Sequence, residues 1–222
     1  MPEYARPAVA ALDFRDESGA TIRYGSRWGG PPPDDSYSRV SNPQRFAPVL
    51  TITDVLIEHL RIKYRAGVAV LDESSPRWVP TTTKLIGVTP DRPDAAPLLF
   101  RYTDFPGIEI WAGLRYSAAF PSCGCDACDE TWERAAGDIE LLVFAVTEGR
   151  FGERITLAAA DGEASSKATV EYTIQAAGAA VRSGIAHGVQ PDAGLRDDAE
   201  WLSSLPGARW QPWRRHANLS GG

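Results

Sequence analysis

Residues 122–132 read SCGCDACDETW and hold every cysteine of the chain: Cys123, Cys125 and Cys128. Thiols grouped this closely can do three kinds of work. Thiolates ligate borderline and soft metals, a thiol pair exchanges with disulfides, and protonated thiols pack as small apolar groups. The C-x-C-x2-C spacing favours the first, because a tight turn brings two sulfurs onto one ion. Zinc is the leading metal. A structural zinc site takes four Cys or His ligands, so a fourth is needed from His59, His187, His216, Asp126 or Asp129. No histidine lies near the cluster in sequence, so a His ligand must arrive from elsewhere in the fold.

The redox reading uses Cys125 and Cys128 as a C-x-x-C where a helix is expected to begin, since a helix start favours a thiolate. Three features oppose it: no thioredoxin-like βαβ pattern, the extra Cys123, and the acidic neighbours Asp126 and Asp129. In the third reading the thiols are structural and Asp126 or Asp129 caps the helix. All three readings stay open, and zinc leads.

Other catalytic constellations are missing. The chain has no G-x-S-x-G elbow, P-loop, H-E-x-x-H or Rossmann glycine pattern. His59, His187 and His216 have no base-like context, and no spacing pairs Asp104, Glu109 or Glu140. The formal net charge of −6 lacks the basic footprint of a nucleic-acid binder. The longest clean apolar run, LLVFAV at 141–146, is too short to span a bilayer. The N-terminus has no signal-peptide layout. An odd cysteine count in one cluster fits a reducing compartment. A cytoplasmic protein is therefore expected.

Two long helices must position the cluster. The first is expected over 43–65, with Asn42 as N-cap, Pro43 at the first helical position, Pro48 splitting off a first turn and Gly67 as the stop. Phe46, Leu50, Thr53, Ile57, Leu60 and Tyr64 give it one buried face. The second is expected over about 126–149. Trp132, Ala135, Ala136, Ile139, Leu142, Val143 and Val146 carry its period, and Asp126, Asp129, Glu130 and Glu133 complement its dipole.

Short strands are expected at 68–73, 84–89, 97–105, 107–120, 154–160, 168–177 and 179–186, after a hairpin at 14–25. Their short connections favour antiparallel pairing. Segment 25–43 is a long Gly/Pro/Ser-rich loop in which Trp28 and Tyr37 are expected to pack over the core, with Arg27 and Arg39 as further contact residues. The result is an α+β single domain over 1–189, with a mainly antiparallel sheet. Residues 190–222 form an acidic, Trp-containing tail with a short helix near 196–205, expected to be partly disordered.

The string PSCGCDACDETWE, followed by a helix and VTEGRFGE, resembles a bacterial family of unknown function carrying a P-x-CGCDxCDE motif. MPEYARPAV, FRDESGATIRYGSRW and YSRVSNPQRFAPV resemble the same family, so the likeness covers most of 1–160. It implies a bacterial cytoplasmic protein and no particular activity. The leading expectation is a non-enzymatic binding protein for a protein or small-molecule partner, acting on neither nucleic acid nor membrane. Its metal ligands would be Cys123, Cys125 and Cys128, with zinc as the cofactor. The alternative is a thiol-dependent redox enzyme or sensor.

Overall fold

The computed structural model describes residues 3–10, 12–157, 168–175, 181–189 and 194–217. Five strands follow one another as an antiparallel meander: β1 Ala66–Val70, β2 Thr82–Pro90, β3 Leu98–Thr103, β4 Gly107–Ala112 and β5 Tyr116–Phe120. Register sets one face. Ile86 pairs with Phe100, Phe100 with Ile110, and Ile110 with Ala118. With two-residue alternation this aligns Val88, Leu98 and Ala112 on the same side, and all are buried. The run at 107–120 is therefore two strands. Gly113, at φ 64°, makes the turn between them.

Helices α1 Pro48–Lys63 and α2 Trp132–Thr147 cover that face. α1 is shorter than 43–65. Pro48 lacks the N–H an earlier turn would need, so residues Pro43–Phe46 form a separate 3-10 turn. Asn42 does not cap it. The residue is left-handed at φ 50°, and its Nδ2 donates to the Tyr24 hydroxyl at 3.1 Å. Nor does Gly67 stop α1: the chain turns extended at Tyr64, and Gly67 lies within β1. Val49, Ile52 and Leu56 join the expected Phe46, Thr53, Ile57, Leu60 and Tyr64 on the buried stripe, whereas Leu50 is only half-buried. α2 ends in a Schellman-type turn at Gly149 (φ 68°), where Arg150 N donates to Ala145 O at 2.7 Å.

A second antiparallel meander contains three strands, β6 Phe151–Leu157, β7 Ala168–Gln175 and β8 Val181–Val189. Tyr116 joins the sheets, its ring 5.6 Å from Phe151 and 4.7 Å from Tyr172. Helix α3 Leu195–Ser204 packs on β6 through Leu195, Ala199 and Leu202. The chain then returns across both layers. Trp210 and Trp213 are buried, and Trp213 Nε1 donates to Ala96 O at 2.9 Å. Glu153 of β6 ties this corner together. Its Oε2 accepts from Leu114 N (2.9 Å) and Trp210 Nε1 (3.0 Å), and its Oε1 from Arg115 N (2.8 Å) and Tyr116 N (2.9 Å).

The architecture is α+β with antiparallel sheets, as the strand spacing predicts. No helix among the described residues is long and apolar enough to cross a membrane.

Candidate metal centre

The cysteines lie in the connection from β5 to α2, before the helix rather than within it. Two local choices delay the helix past the predicted residue 126. Asp129 sits at φ 48°, which a continuing helix excludes. Thr131 is extended, and its side chain accepts from Arg134 N at 3.3 Å, fixing the first turn at Trp132. Neither Asp126 nor Asp129 is a cap. The C-x-x-C therefore lacks the helix terminus on which the redox expectation relied.

The turn gathers the three Sγ atoms to within 4.8 Å of one another. Among the described residues, no other group of three Cys, His or carboxylate ligands converges in this way. Cys123 and Cys125 are half-buried and Cys128 is exposed. Cys123 Sγ donates to Cys125 Sγ at 3.2 Å. That thiol, together with the Cys128 backbone N–H, holds the Cys125 thiol below its usual pKa. Cys128 is pushed up to about 12 by the neighbouring Cys123 and Cys125 sulfurs.

Two buried carboxylates hold the turn in shape. Glu130 closes it on itself, accepting from Ser122 N (3.1 Å), Ser122 Oγ (2.8 Å) and Cys123 N (3.1 Å). Asp126 faces the other way, into segment 25–46. Its Oδ1 accepts from Ser41 N at 2.8 Å and its Oδ2 from Ser41 Oγ at 2.6 Å. Arg27, Arg39 and Arg45 stand around it at 3.4, 3.6 and 3.9 Å. Burial pushes the Asp126 carboxyl up, but the Ser41 donors and the Arg27 charge outweigh it and hold the group below the usual carboxylate range.

The long loop is thus a clamp on the cysteine turn. Asp126 N donates to Arg39 O (2.8 Å), Ala127 N to Ser36 O (3.1 Å), and Trp28 Nε1 to Asp126 O (3.0 Å). Arg45, 2% exposed, donates through Nη2 to Gly124 O at 2.9 Å, between two of the cysteines. Trp28 packs against the site rather than the core, and Tyr37 is 61% exposed, contrary to its expected packing.

Gly124 has little room to change. A Cβ there would stand 2.7 Å from Phe105 Cζ. Gly124→Ala is expected to cost about 2 kcal/mol in overpacking and to weaken metal uptake by spreading Cys123 from Cys125. Urea denaturation and competition with a chromophoric chelator measure the two effects.

The expected fourth ligands do not converge on the sulfurs. His59 lies eleven positions beyond Pro48, the first residue of α1, about 16 Å along the helix at the helical rise, with its ring against Tyr4 and Phe144. His216 is at the far end of the same helix, its N–H on Lys63 O at 3.0 Å. The His187 side chain lies outside the described residues. Asp126 is committed to Ser41 and the arginines. Asp129 Oδ2 accepts from Arg27 N at 2.8 Å, while its Oδ1 has no hydrogen-bond partner among the described residues. Sequence reading misses Ser41, Arg45 and Glu130. Arg45 is hidden inside an apparently helical run, and Glu130 passes for a helix-start charge. The length of segment 25–43 is the one signal that pointed toward the clamp.

Fold and site together define an α+β domain whose distinguishing feature is a clamped three-thiol turn between a strand and a helix, able to hold a metal ion. The chain belongs to a family of unknown function, DUF6226, whose profile matches residues 10–217. Searches of curated proteins and of solved structures returned no significant match.

Proposed function

We propose that this is a metal-binding protein whose Cys123, Cys125 and Cys128 thiolates take up one zinc(II) ion, leaving a fourth position open on the Cys128 side. The observation that carries this reading is the convergence of all three sulfurs within 4.8 Å. Zinc–sulfur bonds of about 2.3 Å place tetrahedral sulfurs roughly 3.8 Å apart. The turn therefore needs to move its thiols by about an ångström or less. The Glu130 and Asp126 anchors hold its backbone without using the thiols, so the site is formed before metal arrives. Uptake should then leave the fold largely unchanged, unlike a zinc finger.

An open fourth position serves an added ligand better than a purely structural ion does. We place the protein in a reducing compartment, where the thiols stay free, and its partner among proteins or small molecules rather than nucleic acids or membranes. Mass spectrometry of untagged protein should give one zinc per chain, lost in Cys125→Ser with secondary structure retained. Cobalt(II) should show the intense d–d bands of a sulfur-rich tetrahedral site. Sub-stoichiometric metal in protein purified under reducing conditions would refute the assignment.

The 3.2 Å contact between Cys123 and Cys125 favours a second reading. A disulfide could form there, with two electrons and two protons passing to a peroxide or an exchanging disulfide. A thiol titrating well below about 8.5 and protected by zinc would unite the readings. Thiols inert to peroxide would exclude the redox one.

A further inference from the structure

A cavity of about 370 Å³ opens beside the clamp. Its lining is mixed: the apolar share comes from Val9, Leu12, Phe14 and Ile22 of the N-terminal segment, Tyr24 just before the clamp, and Trp132 at the start of α2, and polar surface makes up about half. Two features give it a positive end. The first is Arg45, which lines it and is 2% exposed. The guanidinium sits between the Tyr24 and Phe46 rings, with Cζ 4.4 and 4.3 Å from their centroids. Its Nη1 donates to Ser41 O and its Nη2 to Gly124 O. Its Nε has no hydrogen-bond partner among the described residues. Among the described residues its one carboxylate neighbour, Asp126, is 3.9 Å away and shared with Arg27 and Arg39. A buried cation this weakly neutralised is costly without a further anion.

The second feature is α2 itself. Thr131, Trp132 and Glu133 line the same cavity. The N–H groups of Trp132 and Glu133 belong to the first turn, which has no intrahelical acceptors. Thr131 spends its hydroxyl on Arg134 N. The helix dipole thus adds positive potential where Arg45 already stands. The exposed Glu133 side chain, also lining the cavity, disfavours a second negative charge.

We propose that this cavity binds a small organic monoanion, a carboxylic acid with an apolar tail. The carboxylate would lie toward Arg45 and the start of α2, with the tail among Leu12, Phe14, Ile22 and Trp132. Apolar side chains for the tail beside a convergent cationic group for the head are what such an amphipathic ligand requires. Through Arg45 and Gly124 O this site shares a residue with the cysteine clamp, but it does not depend on metal.

The test is calorimetric titration with octanoate, octanol and octylammonium, three probes with one tail and three head charges. Octanoate should bind saturably and at least about ten-fold more tightly than either of the others, the effect of one charge-assisted contact. Ile22→Trp fills the cavity without touching Arg45 and should abolish binding. Arg45→Met should reduce octanoate affinity toward that of octanol. If Arg45→Met fails to fold, the head-group series and Ile22→Trp decide the matter. Equal affinity for octanoate and octanol, no octanoate binding at millimolar concentration, or unchanged binding in Ile22→Trp would each overturn the proposal.

Discussion

Glu153→Gln is expected to lower stability by about 4 kcal/mol and to release the C-terminal segment from its corner. Each Glu153 oxygen accepts two N–H donors, Leu114 and Trp210 on one, Arg115 and Tyr116 on the other. A glutamine must put its NH2 group against one of those pairs, whichever way it is flipped. Two buried donors then face a donor, and the remaining two lose a charged acceptor. Hydrogen bonds to charged groups are worth about 1.5–3 kcal/mol each. The loss reaches three elements at once: the β4–β5 turn, β6 and the returning segment through Trp210. Urea denaturation gives the stability change, and a red shift of tryptophan emission reports the release. A change below about 1 kcal/mol would show that the carboxylate is not the tie.

Asp126→Asn should cost about 3 kcal/mol and selectively loosen the cysteine clamp. The substitution keeps the side-chain shape and an acceptor for Ser41, but removes the charge shared by Arg27, Arg39 and Arg45. Arg45, 2% exposed, then has no carboxylate close by among the described residues. The cost is at the low end for a broken buried pair because Arg39 is half-exposed and screened by solvent.

The same group predicts a pH dependence. Its folded pKa lies below the ordinary value. Its stabilisation is therefore complete above the unfolded value of about 4 and is lost as pH falls through the folded one. Wild-type stability should fall more steeply below pH 4 than that of Asp126→Asn. Urea midpoints across the acid range make the comparison, and parallel acid limbs would disprove the role. Zinc affinity should also fall in the variant, because Asp126 fixes the segment between Cys125 and Cys128.

Much of the architecture is legible in local sequence. Trp132 to Val146 holds the apolar period of a helix, and α2 forms over it. Glycine and proline clusters separate short alternating runs, and those runs become antiparallel strands. Errors fall at element ends, where one residue's backbone decides. Asp129 at positive φ and Thr131 as cap moved the helix start by six residues, from 126 to 132, and with it the environment of the thiols.

By itself, the sequence determined the α+β class, the two helical stripes and the concentration of all three cysteines in one turn. These depend on residue type and short-range period, which the chain carries locally. Only the tertiary structure decided what surrounds that turn. Asp126 meets Ser41 across 85 positions and Trp210 meets Glu153 across 57. The arginines converge because a long loop folds back over the motif. No periodicity encodes such encounters. They arise when buried charges must find partners in the packed interior, and that condition exists only once the two sheets and the helices have come together.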